Sequence, residues 1–317
     1  MKLRPNMRKA YVSMVLFIVL AILPTIVSSH WLQVLILGFY YALMALSWDL
    51  IMGYTGQFSW GQQSFAAIGG YGSVLLLAGL QFPVVVGFAL GGVAAIASGL
   101  LLGLICLRMR GFYLCLATWV FGETVYTILA VEQEITGGTR GIFTSYLFPG
   151  VQSPIPYYYL GLGLVVLSYV TLYRITSSRW GLYLTAIRDD EDAAEMMGVN
   201  TYRWKTFSFV LSGFWSGIAG VFYAHYNGMI APSIGSSFPE MALIFAMVVL
   251  GGMGTLVGPI VGALVITFAS EYLRGVARNL TMLIFAILIL AIMRFLRGGL
   301  VELSQKIRVE YLSRKQD

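Results

Sequence analysis

Few side chains in this sequence can do chemistry, and the most conspicuous are carboxylates set in apolar surroundings. Glu123 stands well inside an uninterrupted apolar run, while Asp49, Glu240 and Glu271 stand nearer the ends of others. Charge at such places is costly and faces protein or water. Glu123 can bind a substrate ammonium, carry a proton, or hold two helices together, and the sequence leaves these three open. His30 and His225 are far apart, and Cys106 and Cys115 have no ligand spacing, so the thiols read as buried and inert. These residues assemble no metal cluster and no Ser/His/Asp set. There is no GxxxxGK[ST] phosphate loop, so any ATP that drives this protein is hydrolysed by another chain.

Three further segments are polar or glycine-rich where their surroundings are not. Residues 53–65 combine Gly53, Gly56 and Gly61 with Gln57, Ser59, Gln62, Gln63 and Ser64. Polar, glycine-rich backbone at membrane depth is tolerated inside protein or along a water-filled cavity. This segment therefore lines a pathway, or it is a plain loop whose small residues pack helices. Gly251, Gly252, Gly254 and Thr255 belong to a second such segment, 251–259, where glycine frees the chain from the helix. A broken helix beside a pathway and tight packing along a Gly254, Gly258, Gly262 row are both consistent with it. The third, 185–205, runs from Arg188 through the acids Asp189 to Asp192, then Ala193, Ala194, Met196 and Met197, to Gly198. Acids suit a helix N-terminus and glycine the residue past its C-terminus. Ala193, Met196 and Met197 then share one face, which the protein's own inner surface covers unless another chain does.

The elements that must position these residues are membrane helices. The chain has 317 residues, 58% hydrophobic and 11% charged, with a mean hydropathy of +0.81. A soluble domain carries about 25% charged residues. Long unbroken apolar runs predict an all-α integral membrane protein rather than a barrel, which would alternate. About ten transmembrane helices are expected, at 11–29, 31–51, 62–80, 83–107, 111–130, 156–173, 206–226, 240–252, 256–272 and 279–296. The eighth is too short to cross alone, so 240–272 is either two spans or one broken, re-entrant element. The first run is read as a retained helix rather than a cleaved signal. With the N-terminus inside, 17 of the 20 basic residues fall inside, leaving Arg140, Arg274 and Arg278 outside. The positive-inside rule thus places both termini in the cytoplasm. The chain divides into a basic segment 1–10, a permease domain 11–297 containing a cytoplasmic loop 174–205, and a cytoplasmic tail 298–317. Leu300, Leu303, Ile307 and Tyr311 make that tail amphipathic.

Asp192-Ala193-Ala194, then three residues and Gly198, resembles the EAA-x3-G loop of ABC importer permeases. With Ala186-Ile187-Arg188-Asp189, "GQFSWGQQSF" and "GGMGTLVGPIVGA", the chain resembles the branched-chain amino acid permease family over about 40–298. The sequence departs from the older loop pattern in having Asp192 for Glu and no Ile-x-Leu-Pro tail. The resemblance implies that Arg188, Asp192, Ala193, Ala194 and Gly198 lie in the element that couples to an ATPase. It implies two ABC ATPase subunits, a second homologous permease and an extracytoplasmic amino-acid-binding protein, with no nucleic acid and no cofactor. It implies a multi-pass protein of a bacterial or archaeal cytoplasmic membrane that carries leucine, isoleucine and valine and is not itself an enzyme. Urea or short amides are the alternative cargo. An ion-coupled secondary transporter using Glu123 is the alternative mechanism.

Overall fold

The structure is a computed structural model and describes residues 20–21, 23–25, 27–80, 83–106, 109–151, 153–235 and 238–276. Beside a single helical turn at Gln133–Thr136, ten helices organise them: α1 (Ser29–Thr55), α2 (Gln62–Leu80), α3 (Val84–Cys106), α4 (Phe112–Val131), α5 (Ile155–Thr176), α6 (Arg179–Asp189), α7 (Glu191–Met196), α8 (Thr201–Asn227), α9 (Phe238–Gly251) and α10 (Val257–Val276). By length and composition, α1, α3, α4, α5, α8 and α10 can each cross a membrane. Eight expected spans each coincide with one of these helices. Of the expected first span only 20–21, 23–25 and 27–29 are described, and the span 279–296, the segment 1–10 and the tail 298–317 lie outside the described residues.

Helix α1 is apolar all round and is the buried centre of the bundle, which is where such a helix belongs. It packs against α5, α8, α9 and α10, and Leu35, Phe39, Leu43 and Leu46 are fully enclosed. Helices α2, α3 and α8 meet where their glycines remove the side-chain layer. A Cβ on Gly220 would strike the Ala66 carbonyl, one on Gly69 the backbone of Gly217, and one on Gly91 the Gly69 carbonyl. Lipid gives apolar helices no hydrophobic reason to associate, so such close backbone approach supplies the dispersion contact.

The pair 240–272 resolves into two helices. Helix α9 has 14 residues, or about 21 Å, short of a hydrocarbon core of about 30 Å. A turn over 252–256 reverses the chain, with Gly252 and Gly254 at φ of 113° and 71°. Gly258 and Gly262 then press against the Gly251 and Met247 carbonyls, so these glycines serve packing. Of the expected row, Gly254 lies in the turn instead.

The two ends of the bundle differ. At one end the short strands β1 (Ile142–Phe143) and β2 (Met229–Ile230) pair antiparallel, tying the loop 132–154 to the end of α8. His225 fixes this corner: its Nδ1–H donates to the Ser145 carbonyl at 2.8 Å, and Nε2 meets the Ser73 hydroxyl at 2.9 Å. The other end carries α6 and α7 and most of the charge among the described residues.

Candidate functional site

The charged end is built from local signals. Ser178 caps α6, accepting from the Trp180 N–H at 3.1 Å. The chain then breaks at Asp190, whose carboxylate caps α7 by accepting from the Ala193 N–H at 3.0 Å. Gly198 follows α7 at φ 84°, where glycine carries no steric cost. Two cations hold α7 down. Lys205 on α8 is 1% exposed and pairs with Glu191. Arg110 reaches Glu191 at 3.3 Å and also pairs with Asp192 and Glu195. The Asp192 hydrogen bond, then the Glu191 charge, raise the Arg110 guanidinium above its ordinary pKa. Ala194 is the residue α7 buries, whereas Met196 and Met197 are 82% and 85% exposed. None of the described residues covers the methionines.

The Lys205–Glu191 pair has a measurable consequence. Glu191→Ala leaves a buried ammonium without its carboxylate, at a cost of about 3–5 kcal/mol. The detergent-solubilised protein is expected to aggregate at a clearly lower temperature. Adding Lys205→Met removes the stranded charge and restores most of the loss, read by size-exclusion after heating.

The three segments singled out in the sequence converge just inside this end. Asp49, fully buried on α1, accepts the Gly254 N–H at 2.8 Å through Oδ1. Its Oδ2 has no hydrogen-bond partner among the described residues. Arg188, on α6, donates through Nη1 to the Gly53 carbonyl at 2.9 Å and holds Asp189 at 3.0 Å. A Cβ on Gly53 would strike Asp49 Oδ1, and one on Gly56 would lie 3.1 Å from the Arg188 stem. Thr255 closes the turn on the Gly252 carbonyl at 2.6 Å. Gly53, Gly56, Arg188, Gly252, Gly254 and Thr255 thus form one junction between α1, α6 and the α9–α10 turn, with Gly251 beside it at the end of α9.

Residues 57–64 form a second group. Trp48 Nε1–H donates to the Ser59 carbonyl at 2.7 Å. Gln62 Nε2 donates to Ser212 at 2.7 Å, and Ser212 donates to the Ser47 carbonyl at 2.7 Å. Ser59 bonds Gln62 Oε1, and Ser64 bonds the Gly61 carbonyl. Ser59, Gln62 and Ser64 are fully buried and Gln57 nearly so. These amides and hydroxyls satisfy a helix break inside protein, the setting in which such a break is tolerated.

Two further ionisable groups remain, Glu123 apart from both groups and Glu240 joined to the second through Gln63. Glu123 is exposed on α4, in a shallow depression with Trp119, Val120, Thr124, Thr127 and Ile128. Thr124 and Thr127 bond carbonyls of their own helix, at 2.8 Å each. Glu240 opens α9, where Gln63 Nε2 donates to it at 3.3 Å, and it borders a cavity of about 310 Å³ between α1, α8 and α9.

Against this geometry, the family model described as branched-chain amino acid transport system / permease component matches residues 31–293. The chain belongs to that family. It is similar to the high-affinity branched-chain amino acid transport system permease protein LivM of Escherichia coli K12, 32% identical over 82% of this chain and 68% of the relative. It is similar to LivH of the same strain, 25% identical over 81% and 90%. A ribose import permease protein, RbsC of Haemophilus influenzae, is 27% identical over 65% and 66%. No solved structure matches.

As a member of this permease family the chain is a multi-pass membrane protein. Asp192, Ala193, Ala194 and Gly198, the residues expected from the resemblance to couple, fall together on or beside α7, with Arg188 on α6 reaching back to α1. Sequence reasoning missed Lys205 and Arg110 as the clamps of that element. The glutamate at 191 four residues before a second acid gave no hint of partners 14 and 81 positions away.

Proposed function

We propose that this chain is the membrane-spanning permease subunit of an ATP-driven importer for leucine, isoleucine and valine. Family membership supports the class. The observation that carries the mechanism is α7: a capped helix, clamped by Lys205 and Arg110, that holds Met196 and Met197 out of the protein's own core. Such a rigid apolar tip suits a cleft in a partner, and the partner of this reading is one of two ABC ATPase subunits. Arg188 passes its movement to α1 and the α9–α10 turn through the Gly53 carbonyl.

The reading places α6 and α7 in the cytoplasm and the β1–β2 end outside, facing an amino-acid-binding protein. It takes ten crossings, the eight helices α1–α5 and α8–α10 together with 11–29 and 279–296, and puts both termini in the cytoplasm of a bacterial or archaeal cell. It keeps the division into 1–10, 11–297 and 298–317. A second, homologous permease completes the pathway. Glu123 on its exposed apolar face of α4, with the junctions at 53–64 and 251–255, lies toward that pathway, because a carboxylate facing lipid is costly.

The test is isolation of the tagged chain from native membranes in mild detergent. Two ATPases and a second permease are expected with it, and the complex in liposomes takes up leucine only with ATP inside and binding protein outside. Recovery of the chain alone, with uptake driven by an ion gradient and abolished by Glu123→Gln, would replace this reading with a secondary transporter. ATP-dependent uptake of urea or an amide in place of leucine would correct the cargo alone.

A further inference from the structure

The cavity beside Glu240 has a lining of unusual chemistry. Its walls are Tyr40 and Tyr41 of α1, Tyr223 and Asn227 of α8, Met229, Ala231, Ser233 and Ile234 beyond them, and Glu240. Tyr40 lies eleven residues into α1, about 17 Å along its axis, so the floor is deep in the bundle. Asn227 and Met229 at the rim are exposed, while Tyr40 is buried. The volume of about 310 Å³ lies at the small end of ligand cavities, which start near ~300 Å³.

We propose that this cavity is a subsite for the ammonium end of an aliphatic amino acid. The proposal rests on the importer reading above. Among the described residues, Glu240 is the single acid in the lining, and none there is lysine or arginine. One carboxylate is too few for a metal site, and the lack of cationic residues disfavours an anion. A carboxylate beside tyrosine faces is the chemistry that holds a primary ammonium, by a charge-assisted hydrogen bond and by cation–π attraction. Tyr40 and Tyr223 stand with ring centroids 4.8 Å apart, and Tyr40 and Tyr41 with theirs 5.1 Å apart, forming one aromatic wall. Asn227 and Ser233 supply donors for the substrate carboxylate, and Met229, Ala231 and Ile234 a surface for a branched alkyl chain. Gln63 donates to Glu240 from the start of α2. It orients one carboxylate oxygen and joins the cavity to the 57–64 network, so occupancy of the cavity is sensed at the helix break.

Glu240→Gln is the informative substitution because it removes the charge and keeps an acceptor for Gln63. The whole importer is reconstituted in liposomes with its binding protein. Leucine uptake is expected to fall about tenfold or more, the worth of one hydrogen bond to a charged group, while ATP hydrolysis stimulated by loaded binding protein persists. Met229→Trp, which fills the rim and leaves Glu240 in place, is expected to do the same and serves if the first variant fails to assemble. Without binding protein, in nanodiscs, 3-methylbutylamine is expected to compete with labelled leucine and 4-methylpentanoate to fail. Unchanged uptake in both variants, or competition by the acid and not the amine, overturns the subsite. A wild-type complex that imports only uncharged cargo corrects the cargo of the importer reading instead, and amine binding to its permease would still uphold the cavity.

Discussion

Met196→Asp with Met197→Asp is expected to uncouple the permease from ATP while leaving it folded. Both side chains are almost wholly exposed, so nothing inside the chain loses a contact. On the proposed docking, the ATPase cleft would bury them. Burying two methionines stabilises an interface by roughly 3–6 kcal/mol, and two carboxylates in the same cleft add a desolvation cost. ATP-dependent uptake is therefore expected to fall on the order of a hundredfold or more, and the ATPases to be lost on purification. The thermal stability of the isolated permease should not move. Ala194→Asp is the contrasting variant: Ala194 is buried, so this change lowers stability as well as coupling. Full uptake by the methionine double variant would show that α7 does not reach the ATPase.

Gly220→Val is expected to abolish the folded protein. The added Cβ would strike the Ala66 carbonyl and lie 2.5 Å from its carbon. Backbone cannot rotate away as a side chain can, so α8 and α2 must part along their whole contact. Overpacking of this kind belongs to the rare changes that cost more than about 4 kcal/mol. The measurement is recovery as a single size-exclusion peak in mild detergent, which should disappear. Gly163→Ala is the control: nothing lies within 4 Å of its would-be Cβ, so helix propensity alone applies, a gain of up to about 1 kcal/mol.

What the sequence disclosed follows the range of the interactions. Helix positions were legible because apolar length sets them locally. The start of α7 among the acids 189–192 and its stop at Gly198 were legible for the same reason, since both signals act within a turn, although which acid caps it was not. The exposed face was only half legible. Periodicity joined Ala193 to Met196 and Met197, but it is Ala194 that the fold buries, because Lys205 and Arg110 set how α7 rotates against the bundle. The polar stretch 57–64 was conspicuous without being readable. Its meaning depends on Ser212, 150 positions from Gln62, and on Ser47 beyond it. Tyr40, Tyr41 and Tyr223 have no spacing in the sequence that ties them to Glu240, and it is the fold that sets it beside them. Asp49 was noticed as a misplaced charge, and only the turn at Gly254 explains where its proton acceptor is used.

That last pair has a bearing on how the protein is made. Asp49 and the Gly254 amide that satisfies it are 205 positions apart. At about 5–20 residues per second, some ten to forty seconds of synthesis separate them. Throughout that interval α1 carries a carboxylate whose donor does not yet exist, and such a group costs at least a few kcal/mol in hydrocarbon. Helix α1, made early, is thus among the last to settle, waiting at the insertion machinery or against α5 until the C-terminal third of the chain arrives to close over it.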